Sequence, residues 1–214
     1  MTSERTRRRM VERLREQGIR DERVLAAMAA VPRHLFVEEA LASRAYEDTA
    51  LPIGFGQTIS QPYVVAKMIE TLIAGKSPGK VLEVGTGCGY QAAVLAHVFP
   101  EVYSIERIKG LLERARHNLL ALRLKNLRLA HRDGYAGLES AAPFESIIVA
   151  AAAPRMPEAL LRQLAPGGRM MLPLAQVGKC GGSQRLMLVE RKGRGFVESE
   201  LDAVRFVPME AGKA

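Results

Sequence analysis

Val81-Leu82-Glu83-Val84-Gly85-Thr86-Gly87-Cys88-Gly89-Tyr90 is a short apolar run that carries one acid and leads straight into alternating glycines. Behind it, Gln91-Ala92-Ala93-Val94-Leu95-Ala96-His97-Val98 has helical spacing. The reading is strand, tight turn, helix. Glycines, lacking a Cβ, let a backbone turn sharply and come close to a ligand. The turn is expected to offer free N–H groups at a helix N-terminus, where nucleotide-like ligands commonly sit. A dinucleotide loop would follow G-x-G-x-x-G, but here the third glycine arrives one residue early and Tyr90 holds the expected place. The stretch contains no G-K-[ST], which argues against a nucleoside triphosphate loop.

Outward from this stretch, strands and helices alternate. Strands are expected at Val102 to Ile105, ended by Glu106, and at Leu127 to Ala130, Ser146 to Ala150 and Arg169 to Leu174. Helices are expected at Tyr63 to Ala74, Leu111 to Leu122 and Pro157 to Leu164. Two late runs, Arg185 to Arg191 and Phe196 to Phe206, alternate like an antiparallel ribbon. The pattern predicts an α/β fold, Rossmann-like and doubly wound, with helices on both faces of a mostly parallel sheet and the ribbon at or near one edge. Ligands of such sheets bind at the carboxyl ends of the strands, which puts Gly85 to Gly89, Glu106 and Asp133 on one rim. Upstream, residues 4–17 form a helix with Met10, Leu14 and Val11 on one face, ended by Gly18. Asp21 caps a second helix, stopped before Pro32, and Arg33 to Ala42 forms a third. Tyr46 to Pro62 reads as a long irregular loop of functional character. A single domain over 1–214 is expected, with residues 1–45 as a helical N-terminal extension within it.

The 214 residues are 48% hydrophobic, with a mean hydropathy of -0.02. The longest apolar runs, such as Ile147 to Pro154, fall far short of a bilayer span. No apolar stretch stands behind Met1-Thr2-Ser3-Glu4-Arg5, so no secretory signal is expected. Cys88 and Cys180 are the only cysteines, which fits reduced thiols in a cytoplasm. His34, His97, His117 and His131 are scattered, and no metal site is expected. Net charge is +8 and the pI is about 9.8. Between Glu4 and Arg23 there are eight arginines against five acids. Such charge attracts nucleic acid or acidic surfaces non-specifically. The acids are interleaved, however: Glu12 with Arg8, Arg9, Arg13 and Arg15, and Glu16 with Arg20. That reads as a solvated, ion-paired helix. A cytoplasmic monomer with no specific nucleic-acid partner and no membrane association is expected.

The E-x-G-x-G-x-G form, with its acid inside the strand, resembles the first motif of S-adenosylmethionine methyltransferases. That resemblance implies S-adenosyl-L-methionine as cofactor and S-adenosyl-L-homocysteine as product, held by a loop of Gly85, Thr86, Gly87 and Gly89. The cofactor has no phosphate, only a ribose, an adenine and a charged amino-acid end. Glu106 lies twenty-one residues after Gly85, where a carboxylate can accept from both ribose hydroxyls or pair with Arg107 or Lys109. Glu83 either orients the positive amino-acid end, directly or through water, or is a buried acid tied to backbone amides. Asp133 either accepts from the adenine amino group, with Gly134 leaving room for the ring, or makes an Asp-Gly turn. Cys88 reads as a small residue in a tight loop, not a nucleophile. Ala150-Ala151-Ala152-Ala153-Pro154 stands where amide and base amino methyltransferases carry an asparagine-proline-proline-tyrosine type motif. It offers no side chain to grip an amine.

Ala50-Leu51-Pro52-Ile53-Gly54-Phe55-Gly56-Gln57-Thr58-Ile59-Ser60-Gln61-Pro62 resembles the signature loop of protein-L-isoaspartate O-methyltransferases. Val31-Pro32-Arg33, Phe36-Val37, Ser104-Ile105-Glu106-Arg107, Arg132-Asp133-Gly134, Pro143-Phe144-Glu145, Gly167-Gly168 and Val204-Arg205-Phe206-Val207-Pro208 follow the family's order, so the resemblance covers nearly the whole chain. Two departures stand out. Arg132 replaces the glycine usual before Asp-Gly, and Ala150-Ala151-Ala152 replaces Thr-Ala-Ala. The family resemblance implies methyl transfer to the free α-carboxylate of L-isoaspartyl residues in damaged proteins and peptides. The ester then cyclises to a succinimide, which reopens partly to normal aspartate. A carboxylate is ionised at neutral pH, so alignment rather than deprotonation is needed. Ser60 suits either an N-cap for the helix after Pro62 or, as the resemblance implies, a catalytic hydroxyl touching the carboxylate or the cofactor. An extended peptide could pair with main chain at Gln57, Thr58 and Ile59 and at Val204, Arg205 and Phe206. A methyltransferase for RNA or a small molecule, and a non-catalytic cofactor-binding protein, are the other readings. The Thr58-Ile59-Ser60 loop discriminates against the first, and the intact glycine loop with Glu106 and Asp133 together against the second.

Overall fold

A computed structural model describes residues 4–176 and 183–214; Cys180 lies outside the described residues. Helices α1 (Glu4–Glu16) and α2 (Glu22–Ala30) open the chain. The N–H groups of Gly18 and Ile19 bond back to the carbonyls of Arg15 and Leu14 at 3.1 and 3.0 Å, which closes α1. Asp21 caps α2, accepting from the Arg23 N–H at 2.9 Å. Then follow β1 (Leu51–Gly54), β2 (Gln57–Ile59), α3 (Pro62–Ile73), β3 (Lys80–Val84), α4 (Tyr90–Val98), β4 (Glu101–Glu106), α5 (Lys109–Leu120) and β5 (Leu127–His131). The chain continues with β6 (Phe144–Val149), α6 (Glu158–Gln163), β7 (Leu164–Ala175), β8 (Gln184–Lys192) and β9 (Gly195–Val204). No helix among the described residues is long and apolar enough to cross a membrane.

The main sheet has the order β5-β4-β3-β6-β7-β8-β9. Its first five strands are parallel, and β8 and β9 add the antiparallel edge that the late alternating runs predict. From β3 the chain steps outward to β4 and β5, then returns to β6 on the other side of β3. That reversal opens a crevice at the carboxyl ends of the central strands. Successive strand residues point to opposite faces. Val81, Ile148 and Met171 therefore join one core, and Leu82, Ile147, Val149, Met170 and Leu172 the other. The central strands are mostly apolar because both faces are covered. Met10, Leu14, Val24, Leu25 and Met28 of the N-terminal helices share a core with Ile69, Tyr90 and Val94.

Three expectations need correction. Arg33 to Ala42 is not one α-helix but two 3-10 turns, Arg33–Phe36 and Glu39–Arg44. Residues three apart eclipse in a 3-10 turn, and so Arg33 and Phe36 are buried together. The irregular stretch contains the antiparallel hairpin β1–β2. Its turn runs through Gly54, Phe55 and Gly56, all at positive φ (86°, 54° and 69°). The strands are so short that alternation is confined to Leu51, Ile53 and Ile59. The basic helix is laced with ion pairs, but with other partners: Arg8 with Glu4 and Arg15 with Glu22. Helical spacing alone does not reveal that Arg15 reaches across to α2.

Candidate active site

The carboxyl ends of β3, β4 and β6 open into a crevice of about 860 Å³, part of it open to solvent. Its walls come from distant stretches: the hairpin (Ile53, Gln57 to Ser60), the glycine loop (Gly85 to Cys88), the end of β4 (Ile105 to Ile108) and Val207 to Glu210. Gly134, Ala150 and Ala151 add a surface of hydrogens and methyls.

Four of the N–H groups in the glycine loop are taken up within the protein. Those of Gly85 and Thr86 donate to the Ile105 carbonyl (2.9 and 3.2 Å), and that of Gly89 to Thr86 (2.9 Å). The Gly87 N–H donates to the Glu106 carboxylate at 2.8 Å. The end of β4 runs alongside and takes up those of Gly85, Thr86 and Gly87, so this part of the loop shapes the wall of the crevice. Gly89, at φ +93°, heads α4 in the left-handed region that glycine tolerates best.

Glu106 is buried and lines the crevice. Its second oxygen accepts from the Ile108 N–H at 2.9 Å. Arg107 does not pair with it but with Glu210, at 2.7 Å. Glu83 is wholly buried and is not among the lining residues. It reaches the crevice only by relay: the Ser104 hydroxyl bonds Glu83, and Ser104 lies 2.6 Å from the hydroxyl of Thr86, which does line the crevice. Burial pushes the Glu83 carboxyl up to about 8. Burial likewise pushes the Cys88 thiol up to about 11, so it is no nucleophile at neutral pH.

Gly134 lines the crevice, whereas Asp133 does not. The Asp133 carboxylate accepts from the Tyr135 N–H and the Gly212 N–H, both at 2.9 Å. The first bond is a local Asp-Gly turn contact, and the second ties down the C-terminal stretch. The Lys109 N–H and the Ala214 carbonyl, 2.7 Å apart, fasten that stretch again. Arg132 is exposed and off the lining.

Ser60 lines both the main crevice and a smaller adjoining one of about 330 Å³. It does not cap α3. Gln61 occupies the N-cap position without a side-chain bond, and Asp48 accepts from the Tyr63 N–H at 3.0 Å instead. Gln57, Thr58 and Ile59 line the main crevice, and Thr58, Arg205 and Phe206 line the smaller one. Val204 ends β9, paired with Gln184, and lines neither.

A family model described as protein-L-isoaspartate (D-aspartate) O-methyltransferase matches residues 5–214. The chain belongs to that family. It is 63% identical over 213 residues to the protein-L-isoaspartate O-methyltransferase of Dechloromonas aromatica, covering 99% of this chain and 96% of the relative. It is 65% identical over 209 residues to that of an Azoarcus species, covering 97% and 94%. Among solved structures, a Plasmodium falciparum member of the family, bound to S-adenosyl-L-homocysteine, superposes with a TM-score of 0.83. It is 27% identical, with 95% of this chain and 98% of that one covered. For this isoaspartyl methyltransferase family member, sequence reasoning missed many contributors to the crevice, Ile53, Tyr90 and Met209 among them. These three are apolar or aromatic and read as ordinary core. The one available signal was the family's Val207-Pro208, which leads into Met209.

Proposed function

We infer that the protein is a repair enzyme that moves the methyl group of S-adenosyl-L-methionine to the free α-carboxylate of L-isoaspartyl residues in damaged proteins and peptides. The observation that carries this reading is the convergence of the Thr58-Ile59-Ser60 loop, the glycine loop and Glu106 on one crevice. The crevice also suits the cofactor. Each Glu106 oxygen accepts one main-chain bond and keeps acceptor capacity for a ribose hydroxyl. Gly134, Ala150 and Ala151 leave a flat apolar surface for a ring. Gly85, Thr86, Gly87 and Gly89 shape the wall beside it. Glu83 acts from beneath, through Ser104 and Thr86, toward the positive amino-acid end. Asp133 meets the adenine amino group only in competition with the Gly212 N–H.

The bound cofactor supplies a methyl group on a positively charged sulfur. The reaction forms a carboxylate oxygen–methyl bond as the methyl–sulfur bond breaks, and no proton moves. A carboxylate with an ordinary pKa near 4 is ionised already, so the protein's task is alignment. Ser60 donates its hydroxyl to that carboxylate. The peptide runs extended along Gln57, Thr58 and Ile59 and along Val204, Arg205 and Phe206, recognised mainly through main chain. In this reading residues 1–214 form one domain, working as a cytoplasmic monomer.

The test uses methyl-labelled cofactor and two synthetic peptides, identical except for isoaspartate or aspartate at one position. Base-labile label on the isoaspartyl peptide alone is the expected result. Label on neither peptide, with cofactor binding confirmed, would overturn the reading.

A further inference from the structure

Arg33 is wholly buried, with no exposed surface, which is rare for a cation. It takes part in none of the ion pairs of the described residues. Its bonds run to main-chain carbonyls instead: Nε donates to Ala45 at 2.8 Å and Nη2 to Ser60 at 2.7 Å. Nη1 has no hydrogen-bond partner among the described residues. The guanidinium carbon lies 4.6 Å from the centroid of the Tyr90 ring, within cation–π range. Tyr90 follows Gly89 directly, opens α4 and lines the crevice.

Stability alone does not account for this arrangement. A buried charge with an unsatisfied donor stabilises less than a well-packed apolar side chain of similar volume. What a guanidinium offers, and an apolar chain cannot, is a rigid planar fork that holds several groups at fixed positions. The group it holds here is the main chain of Ser60. The Ser60 hydroxyl makes no hydrogen bond of its own among the described residues, so its location follows from where its main chain is pinned.

We propose that Arg33 is a positioning residue for methyl transfer, fixing the Ser60 main chain against the start of α4 so that the hydroxyl faces the acceptor carboxylate. The proposal rests on the reading of Ser60 given above. Because Arg33 acts on the acceptor side, its loss reduces peptide turnover and leaves cofactor binding largely intact. Arg33→Lys keeps the charge but cannot span both carbonyls. Arg33→Met fills the volume without any donor.

The experiment measures S-adenosyl-L-homocysteine binding by calorimetry, which counts competent sites, and then methylation of an isoaspartyl peptide per competent site. Both variants should bind the product with an affinity within about fivefold of wild type, while kcat/KM for the peptide falls about 10- to 100-fold, the cost of misplacing an aligning group. In a Ser60→Ala background the same Arg33 substitutions should lower kcat/KM by less than about threefold, since the group being positioned is gone. Unchanged turnover per site, equal losses with and without the Ser60 hydroxyl, or loss of product binding in both variants would each overturn the proposal. Wild-type protein inactive on the peptide would instead count against the repair reading itself.

Discussion

Replacing Glu83 by glutamine should change how stability responds to pH. Burial pushes the Glu83 carboxyl up to about 8 from an ordinary 4.5, opposed by hydrogen bonding from Ser104 and assisted by the charge of Glu106. The folded protein therefore holds a proton that the unfolded chain releases above pH 4.5. The stability this proton contributes is complete below that value and is lost as pH rises through the folded pKa of about 8. Within the window the slope is about 1.4 kcal/mol per pH unit. Between about pH 5.5 and about pH 7.5, cofactor-free wild type should thus lose roughly 2–3 kcal/mol relative to Glu83→Gln, whose amide does not titrate. Urea denaturation followed by circular dichroism at three pH values in that range measures the difference directly. Parallel stability-against-pH lines for the two proteins would refute the reasoning, because they would mean that Glu83 is already ionised in the fold. The same variant bears on the cofactor. With only a relay through Ser104 and Thr86, it should weaken S-adenosyl-L-homocysteine binding by no more than about tenfold, the scale of one net hydrogen bond.

On the proposed ribose contact, Glu106→Gln should weaken calorimetric S-adenosyl-L-homocysteine binding by roughly 10- to 100-fold, because charge-assisted bonds would become neutral ones. In Gly134→Ala the new Cβ would lie 2.7 Å from Val84 Cγ1 and 3.2 Å from Met209 Cε. It should cost about 1–3 kcal/mol of stability by overpacking, and cofactor affinity should fall with it. Phe144 is wholly buried beneath Tyr103, ring centroids 5.8 Å apart. Phe144→Ala should cost about 3–5 kcal/mol in urea denaturation while the folded fraction binds the product normally. Cys88, its thiol pushed up to about 11 by burial, should resist iodoacetamide at neutral pH in the native protein, with peptide mapping as the readout.

The parallel sheet was legible because its strands are short, mostly apolar runs bounded by turn residues, and period and length separate such runs from the helices between them. The place of Glu106 on the crevice was legible for a related reason: an acid closing the strand after the glycine turn lies at the carboxyl rim of the sheet. The hairpin was not legible. With strands as short as Gln57–Ile59, the pattern has no room to repeat, and a turn through Phe55 at positive φ breaks the usual rule for bulky residues. Glu83 was visible as a residue, but its separation from the crevice depends on which face of β3 it takes and on a serine in the neighbouring strand. Asp133 was visible too, yet its bond to the Gly212 N–H joins positions far apart in the chain. Arg33 gave no signal beyond its place in a family motif, since a lone arginine in a helical stretch ordinarily points to water.

The wall from Val207 to Glu210 has a bearing on when the enzyme can first act. Synthesis proceeds from the N-terminus, and by the time this wall emerges the hairpin, the glycine loop and Ser60 have long been made. Until then the crevice is missing one side, and the N–H of Gly212 is not there to tie Asp133. A chain clipped after β9 keeps the hairpin, the glycine loop and Glu106 but lacks the wall from Val207 to Glu210, and it should bind S-adenosyl-L-homocysteine more weakly than the whole chain. The last wall of the crevice is thus the last part of the chain to be made.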